Sequence, residues 1–534
     1  MESTRASSPP TAEAPPVRVG RAIWISAATL ASRVLGLVRD QVFAILLGAG
    51  TFSDAFVAAF RIPNLLRDLF AEGALSSAFV PTFAEVRRNR GAEAAFGLGN
   101  LVVGLILAVV GVITLLGILF APAVVSLVAP GFEAEARDLT VRLTRIMMPF
   151  LLLVSLAAAA MGMLNAQSRF TAPALAPALF NVGSIAVGAG LWAAGAGPEK
   201  AVVGWSIGTL LGGLLQLLAQ VPSLRGLGFR IRPALRGALQ EPGIRRIGAL
   251  MGAAVIGLSA TQVNIVVNTI FASHEEGAVS WLNYAFRLMQ FPLGVFGVAI
   301  ATVAGAGVAQ RAAARDMPGV KRTLGSAMRL VAFLNVPASV GLVTLAHPII
   351  SLVYEHGRFD AADAAATADA LVFYAVGLYG YSAVKVFAPA FYAIDDARIP
   401  VIGSVVGMAS NVVLVLLLHP VLGFKGIALG TALAATANFA VLAVAWKLRH
   451  GGLGSAGIYR QLGRTILASA IMVGVVLAVK TALAPVLPAA GLARQAPLAL
   501  VPIVAGAVAY FAAAWLLGVK ELSEVASALR RRRT

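Results

Sequence analysis

Long apolar runs, broken at nearly regular intervals by short clusters of Gly, Pro, Arg and acidic residues, organise this chain. A helix needs about 20 mostly apolar residues to cross a bilayer. That length and the polar punctuation predict about fourteen spans, at 21–47, 54–83, 97–127, 138–164, 173–195, 201–222, 244–271, 278–309, 322–346, 364–392, 399–418, 425–447, 461–484 and 496–518. The predicted fold class is all-α and integral to the membrane. Composition agrees: 59% of the 534 residues are hydrophobic and 12% charged, against roughly 25% charged in soluble domains. Residues 1–20 are rich in Pro, Ser and Ala and read as a disordered tail, with no apolar signal-peptide core or cleavage site. The absence of cysteine excludes disulfides and thiolate chemistry.

Charge orients the spans. One set of alternating connections carries Arg87, Arg88 and Arg90; Arg169; Arg225, Arg230, Arg232, Arg236, Arg245 and Arg246; Arg311, Arg315, Lys321 and Arg322; Arg398; and Lys447, Arg449, Arg460 and Arg464. The opposite set carries only Arg137, Lys200, Arg358, Lys425 and Arg494. Basic loops stay in the cytoplasm, so both termini are expected there, including the basic tail 519–534. The net charge of +18 is thus assigned to orientation beside anionic lipid and not to nucleic acid. The basic segment 223–243 mixes Arg with Leu, Phe and Ile, and reads as an amphipathic surface segment or a plain connector.

The chain also repeats itself. Residues 59–61 and 285–287 both read AFR, early in the second and eighth spans. Some 110 residues after each comes a similar connector, QSRFTAPALAPALFN from 167 and DARIPVIGSVVGMASN from 396. Such repeats predict two pseudo-symmetric six-helix lobes around a central cavity. The expected division is an N-lobe at 21–222, a linker at 223–243, a C-lobe at 244–448, and two extra C-terminal helices within 459–518.

Charged residues inside the spans are the candidate functional groups. SRVLGLVRDQ in the first span holds Arg33, Arg39 and Asp40; Arg33 and Asp40, seven apart, share a face. In the second span Ser53, Asp54, Arg61, Asn64, Arg67, Asp68, Glu72 and Ser76 fall within an arc of roughly 180°. The eighth span places Asn283, Tyr284, Arg287, Gln290 and Gly294 on an arc of roughly 120°. Each central Arg costs about 2.5–3.5 kcal/mol on insertion scales. One account is internal pairing, Arg39 with Asp40 and Arg67 with Asp68 or Glu72. The other is an anionic ligand, because guanidinium groups grip phosphate and carboxylate in two-pronged fashion.

SRVLGLVRD, GAGTFSDAFVAAFRIPNLLRDLFAEGALSSAFVP, NTIFAS and SWLNYAFRLMQFPLGVFGVAIAT resemble the signature segments of the MviN/MurJ family, the lipid II flippases of bacterial peptidoglycan synthesis. The resemblance is collinear over about residues 20–520. It implies a cationic cavity between lobes of spans 1–6 and 7–12, and a groove for the polyprenyl tail formed by spans 13 and 14. The family's cavity arginines fall on Arg33, Arg39, Arg67 and Arg287, with Arg61 and Asn64 on the same polar arc. The ion-pair and gating positions fall on Asp40, Asp54 and Glu72. Where some members have a glutamate three residues after the eighth-span arginine, this chain has Gln290, so an ion pair of Arg287 must use Asp40 or another group. A sodium site known in some members has only Asn264, Asn268, Asn411 and Thr431 as candidates here, with no acidic ligand.

The resemblance therefore implies a transporter, not an enzyme, that moves lipid II from the cytoplasmic to the outer leaflet of the bacterial inner membrane by alternating access. No cofactor is expected, and membrane potential or an ion gradient would drive it. Lipid II and the bilayer are the expected partners, with the cell-wall synthesis machinery a further candidate. A related exporter of another polyprenyl-linked oligosaccharide is the alternative. An integral-membrane enzyme would need ligands such as those of HPIISLVYEHGRFD, namely His347, Glu355, His356 and Asp360, whose spacing matches no metal motif. No P-loop is present.

Overall fold

A computed structural model describes residues 19–69, 75–453 and 457–522. It is 85% helix with no strand among those residues. The helices are α1 (Val19–Leu47), α2 (Thr51–Arg67), α3 (Ser76–Leu105), α4 (Gly111–Leu119), α5 (Ala121–Val128), α6 (Ala134–Met147), α7 (Pro149–Asn165), α8 (Thr171–Ala193), α9 (Pro198–Leu218) and the short α10 (Val221–Arg225). After the linker come α11 (Pro242–Ala272), α12 (Ala278–Pro292), α13 (Val298–Ala313), α14 (Met317–Tyr354), α15 (Ala361–Ala375), α16 (Leu378–Ala393), α17 (Arg398–Leu422), α18 (Phe424–His450), α19 (Ile458–Leu483) and α20 (Leu492–Leu516). In hydrocarbon each backbone N–H and C=O must be satisfied within its own segment, which leaves the helix as the local solution.

Ten of these helices or helix runs are long and apolar enough to cross a membrane, or eleven with the bent pair α15–α16 counted as one. α1, α2 and α11 stand outside that number; α2 has only 17 residues and carries Asp54, Arg61 and Arg67. Within the second expected span α-helix gives way to π-helical backbone at Asp68 and Leu69. From Ser76 α3 runs on to Gly91, whose φ of 86° turns the chain into the third.

The two halves pack by the same plan. α1 lies on α8, α8 on α9 and α2 on α6; in the second half α11 lies on α17, α17 on α18 and α12 on α15. These are equivalent span pairs, so the repeat legible in the sequence is a repeat of packing. α19 and α20 lean on α14 outside both halves, where the Tyr510 hydroxyl donates to the Phe333 carbonyl at 2.5 Å and Arg329 pairs with buried Glu521 at 2.8 Å.

The linker after α10 is irregular backbone, not a surface helix. Asn100 holds it, donating to the Arg230 carbonyl at 3.2 Å and accepting from the Arg232 N–H at 2.8 Å. Phe229 inserts into the N-half core. Arg90 pairs with Glu241 at 2.5 Å and holds that carboxyl below its ordinary range.

Candidate functional site

The interface between the halves has two polar zones. The first lies part-way along the spans, where α1 and α2 face α11 and α12. Asp40 stands at its centre: Oδ1 accepts from Arg39 Nη2 at 2.8 Å, and Oδ2 meets Nε of Arg287, on the other half, at 3.0 Å. The carboxylate is largely buried, whereas the Arg287 side chain keeps 44% of its exposure. Arg39, which the helical period alone turns away from Arg33, folds back onto its neighbour and lays its guanidinium 5.5 Å from the Phe180 ring centre. Arg33 reaches across to the π-turn Leu293–Gly297 that follows Pro292; a Cβ on Gly294 would stand 2.8 Å from its Nη1. Glycine there is what lets the guanidinium approach, and π-turns inside helices often mark functional positions.

α2 supplies the second wall. Arg67 pairs with Asp68 at 2.9 Å, and Asp68 in turn accepts from Gln262 of α11 at 3.4 Å. Arg61 donates to the Thr269 hydroxyl, also on α11. Asn64 sits half-buried between these two arginines on the same helix. Glu72 lies outside the described residues. Both neighbouring pairs that internal neutralisation requires, Arg39–Asp40 and Arg67–Asp68, are formed. They do not balance the zone: Arg33, Arg39, Arg61 and Arg287 have one carboxylate, Asp40, within ion-pair reach among the described residues. A half-exposed surplus of guanidinium suits an anion with several oxygens.

The second polar zone closes one end of the interface, opposite the basic loops. Asp54 is 2% exposed, and its two oxygens accept from the N–H groups of Gly277 and Ser280 at 2.7 and 2.8 Å. These are N-terminal donors of α12, and the helix begins with a glycine that has no capping oxygen of its own. A residue of the first half therefore caps a helix of the second. Asp363, at the start of α15, reciprocates. It accepts from the Ala49 N–H at 3.0 Å, just before α2, and from Trp281 Nε1 at 3.1 Å. Thr51 donates to Glu276 at 2.6 Å and the Gly131 N–H to Ser273 at 3.0 Å. The Arg358 N–H donates to the Ile45 carbonyl at 3.0 Å, with Gly48 and Gly357 at φ 68° and 63° on either side. A Cβ at either glycine would lie 2.5–2.6 Å from the opposing carbonyl oxygen.

The remaining candidates separate. Asn268 donates to Thr431 at 2.9 Å and accepts from Asn411 at 3.0 Å, joining α11, α17 and α18. Asn264 lies one turn earlier, and the side-chain oxygens of Asn264 and Asn411 are buried without a partner. No group of three His, Cys, Asp or Glu capable of holding a metal occurs among the described residues. In HPIISLVYEHGRFD the acid Asp360 caps α15 through the Asp363 N–H, and His356 bonds the Leu352 carbonyl. Reading the sequence did not single out Asp363, Gln262, Thr269 or Phe180. Their partners lie 82 to 314 positions away or on other helices, and no local pattern marks them.

Residues 43–488 match the family described as lipid II flippase MurJ. The chain is 36% identical over 451 residues to the lipid II flippase MurJ of Burkholderia cenocepacia, covering 82% of this chain and 84% of the relative. It is 36% identical over 519 residues to the probable lipid II flippase MurJ of Rhizobium meliloti, covering 95% of each. Among solved structures it resembles a lipid II flippase MurJ in an inward closed conformation, with TM-score 0.77, 25% identity, and coverage of 92% of this chain and 98% of that one. An inward-facing MATE-family multidrug transporter shares the fold at TM-score 0.67 and 16% identity, over 80% of this chain and 98% of that one.

Proposed function

The chain belongs to the MurJ family of lipid II flippases, and on that premise we propose that the arginine zone between its lobes receives the pyrophosphate of lipid II. Its function is to move the lipid-linked peptidoglycan precursor across the membrane. The carrying observation is Asp40 shared between Arg39 and Arg287 of opposite lobes, with no carboxylate in ion-pair reach of Arg33 or Arg61 among the described residues. A pyrophosphate would displace Asp40 from one or both guanidiniums and bind in its place. That exchange couples cargo to the lobes, because it breaks or remakes a contact between them.

The basic loops and both termini face the cytoplasm of the inner membrane in this reading, which makes the Asp54–Asp363 end the outer gate. With that end latched, the head group enters from the cytoplasmic side. α1 and the α12–α13 span expose Val34, Val38, Phe291 and Val295 beside the Arg33–Gly294 contact. Such an apolar seam suits a polyprenyl chain that stays in lipid, with α19 and α20 offering the groove further out. An outside-positive potential favours outward movement of the anionic cargo by about 2.3 kcal/mol per charge per 100 mV. The orphan oxygens of Asn264 and Asn411 would serve a monovalent cation without a carboxylate, so we assign the larger driving force to the potential.

The test measures lipid II exposed on the outer face of cells depleted of their own flippase and supplied with this chain or Arg287→Ala at matched levels. The unaltered chain should restore exposure and the variant should lose most of it. Restoration by both would make Arg287 structural; restoration by neither would turn the reading toward another polyprenyl-linked oligosaccharide.

A further inference from the structure

A second group of arginines lies away from the lobe interface. α6 turns Ala136, Leu139, Thr140, Leu143 and Met147 inward, against α2 and α9. α2 is the helix that meets the second lobe, so the opposite face of α6 points outward from the molecule. That face carries Asp138, Arg142 and Arg145, which with Val141 and Ile146 line a cleft of about 430 Å³. Arg145 lies about 16 Å along the axis from Ala134, the start of the helix. It is level with the end of α4, since its Nε donates to the Ile118 carbonyl at 3.3 Å.

The neighbours on that outer face are apolar. Leu115, Leu119 and Phe120 are more than half exposed there, and Leu127, nearer the end of α5, is 71% exposed. The run Ala134–Asn165 is long and apolar enough to cross a membrane, so exposed guanidiniums beside such residues would meet lipid, where an uncompensated charge is costly. The protein compensates only in part. Arg142 meets Glu199 at 3.3 Å with both side chains more than half exposed, and Arg145 has no carboxylate within ion-pair reach among the described residues. Its four terminal N–H donors and the outer edge of Arg142 remain for an anion. Asp138 and Glu199 limit the net charge of the group, which suits a phosphodiester with a single charge better than a pyrophosphate.

We propose that this outward cleft of α6 binds the phosphate of a phospholipid headgroup, in the leaflet opposite the basic loops. The leaflet assignment rests on the orientation proposed above; the site itself does not. Arg142 and Arg145, three positions apart on one face, hold the phosphate, while Leu119 and Phe120 flank the acyl chains. The bound lipid is distinct from the cargo, which is taken from between the lobes.

Native mass spectrometry of the full chain, purified with membrane phospholipid, tests this by counting the lipids retained as activation energy rises. R142Q/R145Q is compared with the unaltered chain and with R311Q/R315Q, which removes two exposed arginines at the other end. The unaltered chain and R311Q/R315Q should hold one phospholipid at energies that strip it from R142Q/R145Q. Equal retention by all three overturns the proposal, as does equal loss from both double variants. R142K/R145K, which keeps the charge without the two-pronged geometry, should retain the lipid to intermediate energy; loss of lipid only in a variant that also unfolds at lower temperature in lipid-free detergent counts against the site. Inorganic phosphate is added in that detergent as well. An arginine-dependent phosphate adduct that excludes phospholipid would assign the site to a soluble anion and overturn the lipid form. The readout contains no lipid II, so failure of the flippase reading leaves its result standing, and the reverse holds too.

Discussion

Two polar regions share one lobe interface and are built in opposite ways. At the end opposite the basic loops, the outer end in the proposed orientation, carboxylates meet N–H groups: Asp54 takes two from the backbone of α12, and Asp363 takes one from Ala49 and an indole N–H. Part-way along, guanidiniums outnumber the acid between them, with Asp40 held at once by Arg39 and Arg287. In the first region the two acids are buried, and every carboxylate oxygen meets a donor within the protein. The inner one is half-exposed and under-neutralised. A satisfied buried network rigidifies the state it belongs to, whereas an unsatisfied cationic one awaits a ligand. On the proposed function, the first closes the interface and the second takes the cargo.

The largest expected effect that would break this division comes from the latch. Asp54→Ala leaves two buried N–H groups without an acceptor, at about 1–3 kcal/mol for the unsatisfied groups. The closed end should open roughly ten-fold more often or beyond, since 1.4 kcal/mol is a factor of ten. The chain has no cysteine, so a single cysteine at Ala58, buried below the latch, reports opening through its reaction rate with an impermeant thiol reagent. An unchanged rate would remove Asp54 from the gate.

A substitution at Gly294 sharpens the inner half of the comparison. Gly294→Val puts a side chain where Arg33 Nη1 now lies, 2.8 Å from the new Cβ. Lipid II exposure should fall several-fold, with the thiol rate at position 58 little changed. Gly305→Ala, whose Cβ would meet nothing closer than 3.9 Å, is the control. Loss of exposure in both would point to helix stiffness and away from Arg33.

Asp363→Asn should act on the gate in the same direction as Asp54→Ala but less, by a few-fold in thiol rate. The one amide oxygen still accepts from Ala49 or from Trp281, while the second acceptor and the charge assistance are lost. An effect larger than that of Asp54→Ala would reverse the ranking of the two acids.

The smallest effect belongs to a region outside the comparison, the linker. Arg90 lowers the Glu241 pKa, so the pair contributes above the unfolded value near 4.3 and its contribution is lost as pH falls through the folded value. Glu241→Gln should therefore lower the thermal midpoint slightly at pH 7 and not at all at pH 3. An equal shift at both would make the effect one of packing.

Much of the inner region was legible from one-dimensional pattern. Arg33, Arg39, Asp40, Arg67 and Arg287 stand out because charge inside an apolar run has few tolerable explanations, and Asp40 was reachable as the partner of Arg287 once Gln290 had been seen in the eighth span. The outer region was legible only as a single residue. Asp54 is conspicuous in its span, but its acceptor role depends on N–H groups 223 and 226 positions away, and backbone donors carry no side-chain signature. Asp363 sits among alanines in a segment that reads as an ordinary helix start. The change from α- to π-helical backbone at Asp68 and Leu69 was likewise hidden, since a polar arc at helical spacing does not distinguish the two.

The sequence by itself determined the helices and the repeat of their packing. Lipid offers the backbone no hydrogen-bond partners, so each span must satisfy itself locally, and local rules can be read along the chain. Only the tertiary structure decided which arginines share Asp40, which helix Asp54 caps, and that Arg142 and Arg145 face outward beside Phe120. Those contacts join segments whose distance in sequence says nothing about their distance in space, and the pairing follows from how the helices pack.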